Sequence, residues 1–279
     1  MTQYSIVIVA RDRPKQLLAA FFALRANAKD VDEVILIDNG SATDLTPIAR
    51  MSQLPIRIVR LLEHQSFGAA INAGIETARN DLILLLHSDT LIASDPALAA
   101  HYLTRHPDIG VIGGKLFAAG QERGLVLHAG YEARPGRIAP HPLGDRVWDV
   151  FHEPRSVDAV SSACMMIRRV GLHADERYWF RFEDIDLCYQ YLQHSLKVVL
   201  HPALTAHHLD NGGVRERLIE PEWAARRVAS DLLYHERWCS GLPLAEHPRQ
   251  PAVRGDEARQ HLHRASELIG QRLAPVGVA

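Results

Sequence analysis

DLILLLHSDT, Asp81 to Thr90, is the stretch whose reading decides the fold. Leu82 to Leu86 is an unbroken apolar run, the pattern of a strand covered on both faces in a parallel sheet. The run stops abruptly at His87, Ser88, Asp89 and Thr90. Open α/β sheets bind ligands in the crevice beyond the carboxyl ends of their strands, so polar groups at that point are placed to meet one. A carboxylate such as Asp89, on a short turn at the rim of a buried sheet, can hold a hard divalent cation and through it the phosphates of a nucleotide. The competing reading is a strand ending in a polar turn, with Asp89 capping the next helix, because Ser, Asp and Thr are common turn and cap residues.

Upstream of this run, strands and helices alternate. Ser5 to Ala10 reads as a buried strand, and Pro14 opens a helix carrying Leu17, Leu18, Phe21 and Leu24 at helical spacing. Val34 to Ile37 is a second strand, stopped by Asp38, Asn39, Gly40 and Ser41, after which Asp44 can cap a helix with Leu45, Ile48 and Met51. Ile56 to Leu61 is a third strand, and Ile71, Ile75 and Ala78 mark the helix that leads into Leu82. Such alternation implies βαβ units and a mostly parallel, Rossmann-like sheet, so residues 1–100 are expected to form a nucleotide-binding α/β half.

Downstream the pattern changes. A helix starts near Asp95 and Pro96, Val111 to Phe117 and Leu125 to Tyr131 are strand-like, and Arg134 to Pro154 is rich in Pro, Gly, His and Arg without periodicity. A loop of that length inside a compact domain points to function or mobility. Val157 to Ser161 and Cys164 to Arg168 read as short strands. In YWFRFEDIDLCYQYL, Tyr178 to Leu192, three aromatic residues precede acids that open a helix with an apolar face of Ile185, Cys188 and Leu192. Lys197 to Leu200 is expected as the last strand, followed by His207, His208, Asp210 and a turn at Gly212 and Gly213. One domain over residues 1–215 is expected, with 101–215 as its second half. Residues 216–279 read as a helical C-terminal extension, Glu222 to Trp238 and Asp256 to Leu273, separated by a polar linker from Gly241 to Gly255. Packing on the main domain, a homodimer through these helices, and peripheral contact with a membrane surface are all compatible with their basic amphipathic pattern.

A formal net charge of −2 carries no electrostatic footprint for nucleic acid. The 16 histidines are scattered, without the tight Cys and His spacing of a zinc site. Cys164, Cys188 and Cys239 lie far apart, which favours a reduced protein over a disulfide scaffold. The opening MTQYSIVIVARDRP lacks the features of a signal peptide, and no apolar stretch approaches the roughly 20 residues of a membrane span. A cytoplasmic protein is expected, with attachment to the inner face of a membrane left open.

Four stretches stand in an order that, taken together, resembles the inverting family-2 glycosyltransferases of the GT-A fold. SIVIVARDRP looks like that family's first strand, which by resemblance sets Ala10 and Arg11 against the nucleotide-sugar. VDEVILIDNGSATD is close to its second strand and nucleotide turn, and makes Asp38 similar to its base-binding aspartate. HQSFGAAINAG and DLILLLHSDT look like its following helix and metal-binding segment. FRFEDIDLCYQYLQHSLKVVLHPALTAHH looks like its acceptor-side acid motif and terminal histidine. The likeness implies a nucleoside-diphosphate-sugar donor, UDP- or dTDP-linked, a Mn2+ or Mg2+ cofactor, and a glycan, lipid-linked or small-molecule acceptor. Polysaccharide biosynthesis fits that acceptor range, and a rhamnosyltransferase is among the activities left open.

Chemistry gives each position a role beside the resemblance. Asp38 can accept from the imide N–H of uracil or thymine, or can hold an Asx-type turn. Gly68, Ala69 and Ala70 allow close backbone approach to a ligand, and Asn72 could bond near the sugar or ribose, although helix packing explains the small residues almost as well. The resemblance places Ser88 and Asp89 at the donor and Asp89 on the metal, with His87 where the family carries an acid or Asn. One carboxylate with diphosphate oxygens and water can still hold the cation. The terminal histidine that completes the site is assigned to His207, by its spacing from Ala203, with His208 as the alternative. By resemblance Asp184 is the base that takes the acceptor proton, Glu183 contacts or orients the acceptor, and Asp186 points elsewhere. Trp179, with Tyr178 and Phe180, can stack on a sugar face. A helix N-terminus would attract the same acids for electrostatic reasons alone. A sugar-1-phosphate nucleotidyltransferase would need a glycine-rich loop after the first strand, where ARDRP has none. A catalytically degenerate nucleotide-sugar-binding subunit is the other alternative, and retention of Glu183 and Asp184 argues against it.

Overall fold

The computed structural model describes residues 2–29, 31–119, 126–134, 137–140, 152–179, 181–209 and 221–239. The expected loop from Arg134 to Pro154 lies largely outside the described residues. Phe180, Asp210, the Gly212–Gly213 turn, the Gly241–Gly255 linker and the Asp256–Leu273 helix lie outside them altogether.

The first half alternates as its apolar spacing dictates: β1 (Ser5–Ala10), α1 (Pro14–Asn27), β2 (Glu33–Asn39), α2 (Thr46–Ser52), β3 (Ile56–Leu61), α3 (Phe67–Thr77) and β4 (Leu82–His87). Asp44 does not cap α2 as expected: it accepts from the Thr46 amide in an Asx-type turn just ahead of the helix, whose cap position is Leu45. The unbroken apolar strands are explained by two cores. Ile6, Ile8 and Ala10 pack with Leu17, Phe21 and Leu24 of α1 on one face of the sheet, while Val7 and Val9 pack with Ala70, Ile71 and Ile75 of α3 on the other. Each such buried Leu, Ile or Phe contributes about 1.5–3 kcal/mol relative to leaving it exposed.

Then follow β5 (Thr90–Ile92), α4 (Ala97–Arg105), β6 (Ile109–Ala118), β7 (Val126–His128), β8 (Tyr131–Arg134), β9 (Arg137–Pro140), β10 (Arg155–Ser156), β11 (Cys164–Arg168), α5 (Glu183–Gln193), β12 (Lys197–His208) and α6 (Pro221–Tyr234), which runs into a π-helical turn at His235–Cys239. The main sheet has the order β10-β12-β6-β11-β4-β1-β2-β3, with β5 beside β12 and β7 beside β6. β4, β1, β2 and β3 are mutually parallel, β11 is antiparallel to both neighbours, and β6 and β12 are parallel. Strand order reverses between β1 and β4, so the crevice at their carboxyl ends is the switch point where such sheets take ligands. Among the described residues no helix is long and apolar enough to cross a membrane.

Three sequence expectations are corrected. Leu125 to Tyr131 is not one strand: β7 pairs with β6, β8 pairs with β9, and the chain turns between them at Gly130, whose φ of +91° suits glycine. Val157 to Ser161 forms no strand; it makes a single bridge, Tyr131 to Ala159, on its way to the site. The last strand does not stop at Leu200 but continues to His208, with a register shift between Leu200 and Thr205 around Pro202. Proline lacks the N–H for a ladder bond, and Pro202 sits at this irregularity, where no ladder bond is asked of it.

Candidate active site

Turns after β1, β2 and β4 meet the α5 N-terminus at the switch point. The turn after β2 holds Asp38, whose side chain is buried. Its Oδ1 accepts from the Ser41 amide at 2.9 Å, and Oδ2 lies 3.6 Å from Arg60 Nη1. The Asx-type turn is thus real and uses one oxygen. Gly40 takes φ +68°, and a Cβ there would meet the His64 amide nitrogen at 2.6 Å, so the turn requires glycine.

The turn after β1 carries Arg11, Asp12 and Arg13, two of them with positive φ. Asp12 accepts from the Ala42 and Thr43 amides, tying this turn to the one after β2. Arg11 follows the buried Ala10, bonds His64 at 3.0 Å, and leaves its buried Nε without a partner among the described residues. Arg13, which sequence reading passed over, lies 3.9 Å from Asp89.

The turn after β4 brings together His87, Asp89 and His208, whose ligand atoms lie within 4.8 Å of one another. Ser88 sits half-buried between the first two. Asp89 Oδ1 is 3.4 Å from His208 Nε2. Burial pushes His87 down to about 4, against the opposite pull of Asp89, so its imidazole is neutral and fit to be a ligand. The assignment of His207 is corrected. Adjacent residues of a strand point to opposite faces, and His207 packs on Phe117 with ring centroids 5.7 Å apart, while His208 faces Asp89. Counting from Ala203 missed this because the register shifts before Thr205. Asn72 is also corrected: its amide donates to Ala174 O and Glu176 and accepts from Ala174 N, so it clamps α3 to the loop before the acid motif and is not presented to a sugar.

Glu183 and Asp184 open α5 against the turn Ser161–Ser162. Asp184 accepts from the amides of Ser162 (3.2 Å) and Ile185 (2.8 Å) and from the Ser161 hydroxyl, which fixes the carboxylate while leaving acceptor capacity. Burial raises Asp184 to about 6, against those hydrogen bonds. Burial first, and then the Asp184 charge, push Glu183 up to about 8, and its buried Oε2 has no partner among the described residues. His128 supports the turn from below: its Nε2 accepts from the Ser161 and Gly130 amides, and burial keeps the ring neutral. Sequence gave no signal for this turn or for His128.

Asp186 points away from the acid pair, as expected. It is fully buried and bonds Trp238 Nε1 at 2.7 Å, Gln190 at 2.9 Å and Arg237 at 3.1 Å, anchoring the C-terminal helix to α5. Arg181 pairs with Asp231, and Phe182 stacks on Tyr234. Trp179 is edge-to-face with His64, and the Arg226 guanidinium covers its ring at 3.8 Å.

A carboxyl group whose folded pKa lies above its unfolded value stabilises the fold below the unfolded pKa, and that stability is lost as pH rises through the folded value. Glu183 therefore costs progressively more stability as pH rises from about 4.5 through about 8, and the whole cost is present above that. Glu183→Gln is expected to melt higher than the parent at the top of this window, in chelator, by roughly 2–8 °C. Thermal melts of both proteins at the two ends of the window check it, and equal pH dependence would refute it.

The chain has the fold of several solved glycosyltransferases. GalNAc-T7, solved with UDP, GalNAc and Mn2+, superposes with a TM-score of 0.64 at 15% identity, over 98% of this chain and 57% of that one. S. aureus TarS in complex with UDP gives 0.56 at 14% identity, over 85% and 73%. An uncharacterized glycosyltransferase of Haemophilus influenzae is 24% identical over 115 residues, 40% of this chain and 43% of the relative. The matches thus span less than two thirds of that relative and of GalNAc-T7. Residues 5–169, more than half of the chain, match Glycosyl transferase family 2, and the protein belongs to that family.

Proposed function

We propose that the protein is an inverting glycosyltransferase that moves a sugar from a UDP- or dTDP-sugar to a hydroxyl of a glycan, lipid-linked or small-molecule acceptor. The observation that carries this reading is the convergence of two centres on one turn. His87, Asp89 and His208 gather at the switch point, and the acids of α5 are held by Ser161–Ser162 beside them. The donor set fits a divalent cation: two imidazoles and one carboxylate suit Mn2+ better than Mg2+, which prefers oxygen. Bound there, such a cation supplies charge to stabilise the departing diphosphate. Mn2+ in GalNAc-T7, and UDP in that structure and in TarS, support the choice of cofactor and donor.

The chain's own groups do the rest. Asp38 and the turn around Gly40 receive the base, and Arg11, whose buried Nε has no partner among the described residues, and Arg13 face the diphosphate. Asp184 takes the proton of the acceptor hydroxyl as its oxygen attacks the anomeric carbon from the side opposite the leaving diphosphate, which inverts the centre. Glu183 Oε2, buried and without a partner among the described residues, receives an acceptor hydroxyl, and Trp179, packed against His64, is assigned to the acceptor with it. Calorimetric titration with UDP, dTDP and GDP, each with Mn2+, Mg2+ or chelator, tests the donor site. One nucleotide is expected to bind in a metal-dependent way, more tightly with Mn2+. Failure of all three would overturn the donor assignment. Release of the nucleoside diphosphate from its sugar separates an enzyme from a degenerate binding subunit.

A further inference from the structure

Ser162 is 1% exposed and lies between the two centres. Its hydroxyl is 3.1 Å from His87 Nε2 and hydrogen-bonds Glu183. Its backbone amide donates to Asp184, and the His87 amide contacts Ala163 O at 3.4 Å, so the turn is gripped from both sides. A hydroxyl has one proton to give. An ionised Glu183 can only accept, so it takes that proton, and Ser162 Oγ is left to accept from His87 Nε2–H. This arrangement sets the imidazole tautomer, and Nδ1 becomes the nitrogen with a lone pair for a cation. Metal-binding histidines generally donate their second nitrogen to such a partner.

We propose that Ser162 is a positioning residue that joins the metal ligand His87 to the acid Glu183, so that the hydrogen-bonding state of Glu183 is felt in the affinity for the cation. The proposal rests on the metal-assisted reading of the site.

The experiment is a Mn2+ titration of the full-length protein by calorimetry, buffered above the range in which Glu183 takes up a proton. Ser162→Ala is expected to bind Mn2+ about 10–100-fold more weakly, with its melting temperature in chelator little changed. Ser162→Thr keeps the hydroxyl and is expected to stay within about 3-fold of the parent. Glu183→Gln, which removes no ligand, is expected to weaken Mn2+ binding about 3–10-fold. Its amide can donate to Ser162 and turn the serine proton toward His87, favouring the wrong tautomer. In a Ser162→Ala background the same change is expected to have no further effect. A structural role alone would lower stability and leave Mn2+ affinity in place. Parent binding with unchanged affinity in Ser162→Ala, or a Glu183→Gln penalty that persists without Ser162, would overturn the bridge and leave the metal site standing. A parent protein that binds no Mn2+ would overturn the metal reading and the bridge with it.

Discussion

Asp184→Asn is expected to lower the transfer turnover by about 10²–10⁴-fold, the range that a positioned general base supplies, while Mn2+-dependent nucleotide binding stays within about 2-fold. The size follows from geometry. Oδ2 is held by the Ser162 amide and Oδ1 by the Ile185 amide, so the carboxylate is aimed before any acceptor arrives. An asparagine of the same shape keeps an oxygen for one of these donors but cannot take a proton. The variant therefore separates proton transfer from folding and from donor binding. The pH profile gives a second reading: with burial raising Asp184 to about 6, the parent's kcat/KM should fall on the acid side near that value. That limb should disappear from the residual rate of Asp184→Asn. Full transfer activity in the variant, with a verified donor and acceptor, would remove Asp184 from the chemistry.

What the sequence made legible, and what it hid, follows from the range of the interactions involved. β1, β3 and β11 have the limits read from their apolar runs, and the α5 acids stand where the motif places them, because these features depend on residues adjacent in the chain. Asp186 could be set apart from Asp184 by helical angle, because residues two apart on a helix do not face each other, but its separation from Glu183, three residues before it, rests on its bonds to Trp238 and Arg237. His207 could not be told from His208, because strand alternation is readable only if the register is, and the irregularity at Pro202 resets it. His87 read as a departure from an acidic pattern, yet an imidazole two residues before Asp89 lands beside a second imidazole brought from β12. Its partner in sequence, Ser162, is 75 residues away, and no local pattern marks it. Asn72 failed for the same reason: its amide is used by Ala174 from a segment 102 residues on, which turns an apparent ligand contact into a clamp. Trp179 was legible as an aromatic approach, but Arg226 over its ring comes from the C-terminal helix and was not.

Asp89→Ala is expected to abolish the metal dependence of nucleotide binding, weakening Mn2+ by more than the roughly 10–100-fold that loss of an outer partner costs. Among the described residues Asp89 supplies the only carboxylate of the cluster, and two imidazoles without it cannot hold a divalent cation against water nearly as well. Stability should change by less than about 1 kcal/mol, because the partners of Asp89 are partly solvated and 3.4–3.9 Å away. The sign of the remaining effect is what makes the test specific. Without Asp89, Arg13 loses its counter-charge and is released toward an anion, so UDP measured in chelator should bind the variant at least as well as the parent. Calorimetry with and without Mn2+ would then give a ratio of about 1 for the variant and well above 1 for the parent. A general loss of UDP binding in both conditions would instead mean that Asp89 organises the turn, and that its carboxylate is needed for the shape of the site before any cation enters it.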